Sequence, residues 1–202
     1  MIPEKWVIAS SNLGKVAEIG KILHHRFGST CIIQSLADYS KGLPIPEPEE
    51  NGTDYLSNAR IKARYYFGQL GLRAGEYSVI ADDSGLECLE IDGYPGLLSA
   101  RIGHSDEERR AVLLAVLSER LGKLERYAAR FICHAVAFDG IDFRDSLGEC
   151  TGEIRFEERG TNGFGYDPIF YLPDGRTMAE LEEVEKNELS HRGIALRKLF
   201  QW

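Results

Sequence analysis

Long apolar runs are missing from this sequence: the longest, Ala111 to Leu117, stops at Ser118, far short of the roughly 18 residues a membrane-spanning helix needs. No membrane partner is expected. Cysteine is sparse, and Cys31, Cys88, Cys133 and Cys150 form no CxxC pair, which favours reduced, buried thiols over a zinc site or a disulfide framework. Basic residues are outnumbered: 24 Lys and Arg against 32 Asp and Glu leave a net charge of −8. An extended nucleic-acid surface needs a basic stripe, and none is present. A small anionic ligand is still admitted, since it needs only a local cluster of cationic side chains and N–H groups, usually with a divalent cation. The first apolar piece, Trp6 to Ala9, has neither the length nor the basic leader of a secretion signal, so a cytoplasmic location is expected. Common catalytic fingerprints are absent too. Neither Lys15 nor Lys123 lies in GxxxxGK[ST], Gly163-Phe164-Gly165 lacks the third glycine of a dinucleotide loop, and there is no HExxH or GxSxG.

What is present is a soluble globular composition, 43% hydrophobic and 28% charged over 202 residues. Such a chain buries roughly 70% of its unfolded surface and needs no staple. With no repeat and no long linker, residues 1–202 read as a single domain.

The order of elements predicts mixed α/β. A strand over Lys5 to Ala9 is followed by the polar turn Ser10-Ser11-Asn12 and a helix with Val16, Ile19, Leu23 and Phe27 on one face. Cys31 to Gln34 reads as a second strand, followed by a stiff acidic loop with Pro44, Pro46, Pro48 and Glu47, Glu49, Glu50. Thr53 is expected to cap a helix running to about Gln69. A third strand, Tyr77 to Ala81, is expected to deliver Asp82-Asp83-Ser84-Gly85 at its carboxyl end. Ser105 and Glu108 read as a capping box. Arg130 to Phe138 and Leu147 to Phe156 read as antiparallel strands, and a charged helix around Met178 to Val184 precedes a last helix entered through Ser190.

Four polar clusters fall at element ends. In Ser10-Ser11-Asn12-Leu13-Gly14-Lys15, hydroxyls, an amide, an ammonium and helix N–H groups suit phosphates; an ordinary capped turn fits equally well. Asp82 and Asp83 point to opposite faces if they lie on a strand, one to a ligand and one to the scaffold; an acidic turn is the other reading. Gly163 to Pro168 brackets aromatics with glycines, as a flat ligand or a glycine-rich turn requires. Glu185 to Arg192 crowds Lys186, His191 and Arg192 at a helix start, where a solvated turn is the alternative.

Taken together, SSNLGK, EPEENGTDYLSNARIKA, ADDSGL, GYPGLLSAR, ARFIC, GFGYDPIF and EKNELSHR occur in an order that resembles the inosine/xanthosine triphosphate pyrophosphatases, house-cleaning enzymes that hydrolyse deaminated purine nucleotides. The resemblance runs from Trp6 to Leu199. It implies a long mixed β-sheet flanked by helices in two lobes, an active-site cleft between them, and usually a homodimer. It also implies the reaction: hydrolysis of ITP, dITP or XTP to the monophosphate and pyrophosphate with Mg²⁺. By the same resemblance Ser10, Ser11, Asn12, Leu13, Gly14 and Lys15 form the first substrate loop. Asp83 is general base and metal ligand, and Ser84 an adjoining contact. Phe164, Gly165, Tyr166 and Asp167 form the base loop, with Phe164 stacking on the purine. Lys186, His191 and Arg192 complete the nucleotide contacts. Glu49, counted back from Asn58, matches the second metal ligand.

Two positions depart from the family pattern: Ser57 stands where Glu is usual before Asn58-Ala59, and Ile102 where an aromatic commonly follows Ser-Ala-Arg. The loss of a carboxylate at Ser57 is the one sequence hint for an alternative, a nucleotide-binding protein without catalysis. A pyrophosphatase for another small nucleotide is the other.

Overall fold

The computed structural model describes residues 5–28 and 31–201. β1 (Lys5–Ile8) leads into α1 (Leu13–Phe27), β2 (Ile32–Ser35), the one-turn α2 (Leu36–Tyr39) and α3 (Tyr55–Gln69). Then come β3 (Tyr77–Cys88), α4 (Asp106–Leu121), β4 (Tyr127–Phe138), β5 (Phe143–Ile154), β6 (Phe170–Tyr171), α5 (Glu183–Leu189) and α6 (His191–Phe200). The strands make one mixed sheet in the order β2-β1-β3-β4-β5-β6, so the chain is α/β with helices flanking the sheet. β1 pairs in parallel with both β2 and β3. Parallel neighbours need long crossovers, which α1 and α3 supply, whereas β4 and β5 are joined by residues 139–142 alone and run antiparallel.

The chain divides into two compact units. The first comprises residues up to Asp83, Cys133–Gly148 and those from Arg192 on; the second comprises Ser84–Ile132 and Glu149–His191. The first unit has a core on each face of its strands, as alternation demands. Trp6, Ile8 and Ile80 pack with Ile19 and Leu23 of α1 and Leu196 and Leu199 of α6. Val7, Val79 and Ala81 pack with Ala59, Ala63 and Tyr66 of α3. The second unit is built around Leu86, Leu113, Leu117, Tyr127, Phe131, Ile169 and Phe170. Cys88, Cys133 and Cys150 are buried, Cys31 is half-buried, and all are free thiols.

Several local expectations are corrected. The cap of α3 is Asp54, not Thr53: its carboxylate accepts the Ser57 N–H at 2.7 Å, and the Ser57 hydroxyl accepts the Asp54 N–H at 3.2 Å. Ser105 caps α4, but Glu108 reaches back to the His104 N–H at 2.7 Å rather than to that of Ser105. The charged helix expected over Met178 to Val184 is a single 3-10 turn, Met178–Glu180, after which Leu181 is extended and α5 begins at Glu183. β3 does not end at Ala81 but runs on to Cys88, which matters most for the site.

Candidate active site

Because β3 continues through the acid pair, Asp82 and Asp83 lie on opposite faces. Asp82 shares the face of Ile80, toward α1 and α6; Asp83 shares that of Val79 and Ala81, toward α3.

Asp83 is buried, and both its carboxylate oxygens are held by α3. Lys62 Nζ donates to Oδ1 at 3.0 Å and Asn58 Nδ2 to Oδ2 at 3.2 Å. Asn58 and Lys62 are four residues apart, one helical turn, so a single face of α3 presents both. The same ammonium lies 3.3 Å from Glu50 Oε1. Burial works to discharge Lys62, but Asp83, Asp82 and Glu50 outweigh it and raise its pKa, so the amine stays cationic. The acidic loop is tied down here as well, since Gly52 N–H donates to Asn58 Oδ1 at 2.9 Å. A Cβ on Gly52 would sit 2.3 Å from the Ser57 hydroxyl and 2.6 Å from Asn58 Oδ1, so only glycine permits this approach.

The loop therefore brings Glu50 to the ammonium that Asp83 also holds, while the Glu49 side chain is exposed. The loop's register there is set by the Gly52 contact rather than by a regular element. Among the described residues no group of three or more His, Cys, Asp or Glu side chains is arranged to hold a metal ion. Two carboxylates that share one ammonium nonetheless form a hard, anionic oxygen pair already closed around a positive charge. That is the donor chemistry Mg²⁺ takes when substrate oxygens and water complete its shell.

Asp82 is 2% exposed. Its Oδ2 faces Lys15 Nζ at 3.1 Å and accepts from Arg192 Nε and Nη2 at 3.2 and 3.1 Å. Arg192 Nη1 donates to Glu18 Oε2 at 2.5 Å. Burial alone pushes the Asp82 carboxyl up, but Lys15 and Arg192 hold it far below the usual range. Two acids and two bases thus close a neutral buried set, which leaves Asp82 Oδ1 without a hydrogen-bond partner. Arg192 is 1% exposed and its guanidinium bonds two carboxylates of its own unit, Asp82 and Glu18.

Lys15 keeps 17% of its side chain exposed at the entry to α1. There the Asn12 side chain accepts the Lys15 N–H at 3.0 Å, and Ser10 Oγ accepts the Asn12 N–H at 3.2 Å. The first intrahelical bond is Val16 N–H to Asn12 C=O, so the N–H groups of Leu13 and Gly14 precede the helical ladder. Ser11 and Leu13 are exposed, Leu13 by 82%.

In the second unit Phe164 N–H and Lys186 Nζ both donate to Asp167 Oδ2, at 2.8 and 2.5 Å, and Lys186 Nζ lies 5.0 Å from the Phe164 ring centroid. Gly163 is obligatory: its φ is +77°, and a Cβ would fall 2.1 Å from Asp167 Oδ2. Phe164 keeps a half-buried ring, but Tyr166 does not face a ligand: it is 5% exposed in the core with its hydroxyl donating to the Ser99 carbonyl at 2.7 Å. His191 stacks on Phe131, centroids 4.7 Å apart and planes at 11°. Ser84 opens the second unit, half-buried on β3. Sequence reasoning passed over Lys62 and gave Asn58 no role; the four-residue spacing from Asn58 to Lys62 on a helix facing an acid was the available signal.

The sequence model described as Ham1 family matches residues 6–202. A Haemophilus influenzae protein named dITP/XTP pyrophosphatase is 41% identical over 202 residues, covering 97% of each chain. One of the same name from Halalkalibacterium halodurans is 40% identical and covers 98% of each. Among solved structures, a HAM1 protein from Coxiella burnetii superposes with a TM-score of 0.80 at 36% identity, over 98% of this chain and 96% of its own.

Proposed function

This chain belongs to the Ham1 family, and from that premise we propose that it hydrolyses deaminated purine nucleoside triphosphates to monophosphate and pyrophosphate. The observation that carries the reading is the Asp83 carboxylate, fixed at both oxygens by α3 and sharing the Lys62 ammonium with Glu50. Asp83 takes the proton of the water that attacks the α-phosphorus; the bond from that phosphorus to the bridging oxygen breaks, and pyrophosphate leaves with the electron pair. Lys15 and Lys186 neutralise phosphate oxygens. Mg²⁺ held by Asp83 and Glu50 would supply further charge neutralisation and lower the pKa of the attacking water. Asn58 keeps the Asp83 oxygens oriented for this.

Base selection is assigned to hydrogen bonding. Hypoxanthine and xanthine present a 6-oxo acceptor where adenine presents an amino donor. Donors from His191, Arg192 or backbone N–H groups suit the first and are left unpaired by the second. Unpaired buried polar groups discriminate by roughly 10⁴-fold, while stacking on Phe164 does not tell one purine from another. A binding-only protein is disfavoured because Ser57, the departure that suggested it, serves as the capping partner of Asp54 and keeps Asn58 and Lys62 on the correct face. A homodimer and a cytoplasmic location belong to the same proposal; no helix among the described residues is long and apolar enough to cross a membrane.

Asp83→Asn tests the reading. The variant should bind inosine triphosphate within a few-fold of wild type and lose at least about 100-fold in kcat, the usual worth of a general base. Wild-type turnover in Asp83→Asn would refute the assignment.

A further inference from the structure

Gly163 and Gly165, both at positive φ, leave the base loop few conformational restraints of its own, yet base recognition requires its backbone and the Phe164 ring to keep their place. Asp167 holds the Phe164 N–H from within at 2.8 Å, and a second hold comes from outside the loop. The Gly165 N–H donates to Asp106 Oδ2 at 2.8 Å, and the Gly165 carbonyl accepts from Arg110 Nη1 at 2.9 Å. Both polar groups of one glycine are thus gripped by two side chains of α4, four residues apart and on one helical face. Each gripping group is braced in turn. Asp106 Oδ1 accepts from Arg109 Nη1 at 2.7 Å, Arg109 Nε donates to the Gly103 carbonyl at 3.0 Å, and Arg110 Nε donates to Glu158 at 3.0 Å. Only 13% of the Arg110 side chain is exposed, so its charge-assisted bond to the Gly165 carbonyl is largely sheltered from water, while the Asp106 side chain is 41% exposed. Phe164, the stacking ring, is the residue immediately before the gripped glycine. Leu113 and Leu117, further along α4, are fully buried, so the clamp is mounted on a helix that cannot shift without disturbing the core.

We propose that Asp106 and Arg110 are positioning residues for base selectivity: they touch no substrate, and they set the place of the Gly163–Gly165 backbone and of the Phe164 ring. This rests on the triphosphate-hydrolysing function proposed above. Losing either clamp frees the loop without touching Asp83, Lys62 or Lys15. The loss is therefore felt in binding and in base preference rather than in the chemical step.

The test compares wild type, Asp106→Ala, Arg110→Ala, Arg110→Lys and Glu107→Ala, with melting temperature measured for each. Inosine triphosphate and ATP serve as substrates. Asp106→Ala and Arg110→Ala should each raise KM for inosine triphosphate about tenfold, the worth of one charge-assisted hydrogen bond, keep kcat within about twofold, and lower the inosine-over-adenine ratio of kcat/KM. Arg110→Lys should recover part of the ratio. Glu107→Ala, an exposed neighbour on the same turn, should match wild type. An unchanged ratio in folded Arg110→Ala, or equal falls for both substrates, overturns the proposal; if Asp106→Ala does not fold, Arg110→Ala and Arg110→Lys decide it. Wild type that fails to prefer inosine triphosphate would instead refute the proposed function, which keeps the two failures distinct.

Discussion

Lys62 and Arg192 are both buried cations between two carboxylates, and the account gives them different work. Lys62 brings one positive charge to Asp83 and Glu50, the two acids proposed to hold Mg²⁺. Lys62→Met removes the ammonium that those two acids share, a cost of roughly 3–5 kcal/mol for a broken buried pair. The variant should melt lower than wild type in chelator and recover more than wild type when Mg²⁺ is added; thermal melts with and without the metal measure this, and equal metal shifts in the two proteins would count against a cation site there. Arg192 instead serves Asp82. The folded pKa of Asp82 is depressed, so its contribution to stability is complete above the ordinary carboxylate value of 3.8 and is withdrawn as pH falls below it. Asp82→Asn should therefore lower stability at neutral pH and flatten its dependence on pH below about 4, read from urea unfolding across a pH series.

At the scale of elements, the helix faces were legible and the element ends were not. Ile19, Leu23 and Phe27 of α1 are buried as their spacing predicts, and Val16 on the same face is half-buried. Periodicity is a property of many residues and survives any local exception. An end depends on one residue, and Thr53 and Asp54 are both good caps by composition; the Asp54–Ser57 pair settles it because Ser57 can return the bond. Asp54→Ala should lower the midpoint of denaturant unfolding. The misplaced end of β3 has a different cause. Asp-Asp-Ser-Gly has the composition of a turn, and only partners remote in the chain make burial of Asp82 tolerable, Arg192 lying 110 residues away. The motifs located Asp83, Lys15, Lys186 and the base loop. They did not show that Arg192 bonds Asp82 and Glu18, that the Tyr166 ring is buried, or that Glu50 shares the Lys62 ammonium with Asp83, because those outcomes are set by tertiary contacts.

For the whole molecule, a net charge of −8 opposes approach of a polyanionic substrate at long range, so affinity must come from local cations. The protein in solution is expected at twice the 22.6 kDa of one chain, which light scattering measures directly. The most direct test of the central claim is a product assay on inosine triphosphate with Mg²⁺ that resolves monophosphate, diphosphate, pyrophosphate and orthophosphate, with ATP and GTP alongside. The account predicts monophosphate and pyrophosphate in equal amounts from inosine triphosphate, with little from the other two. Diphosphate and orthophosphate, or equal turnover of ATP, would contradict it.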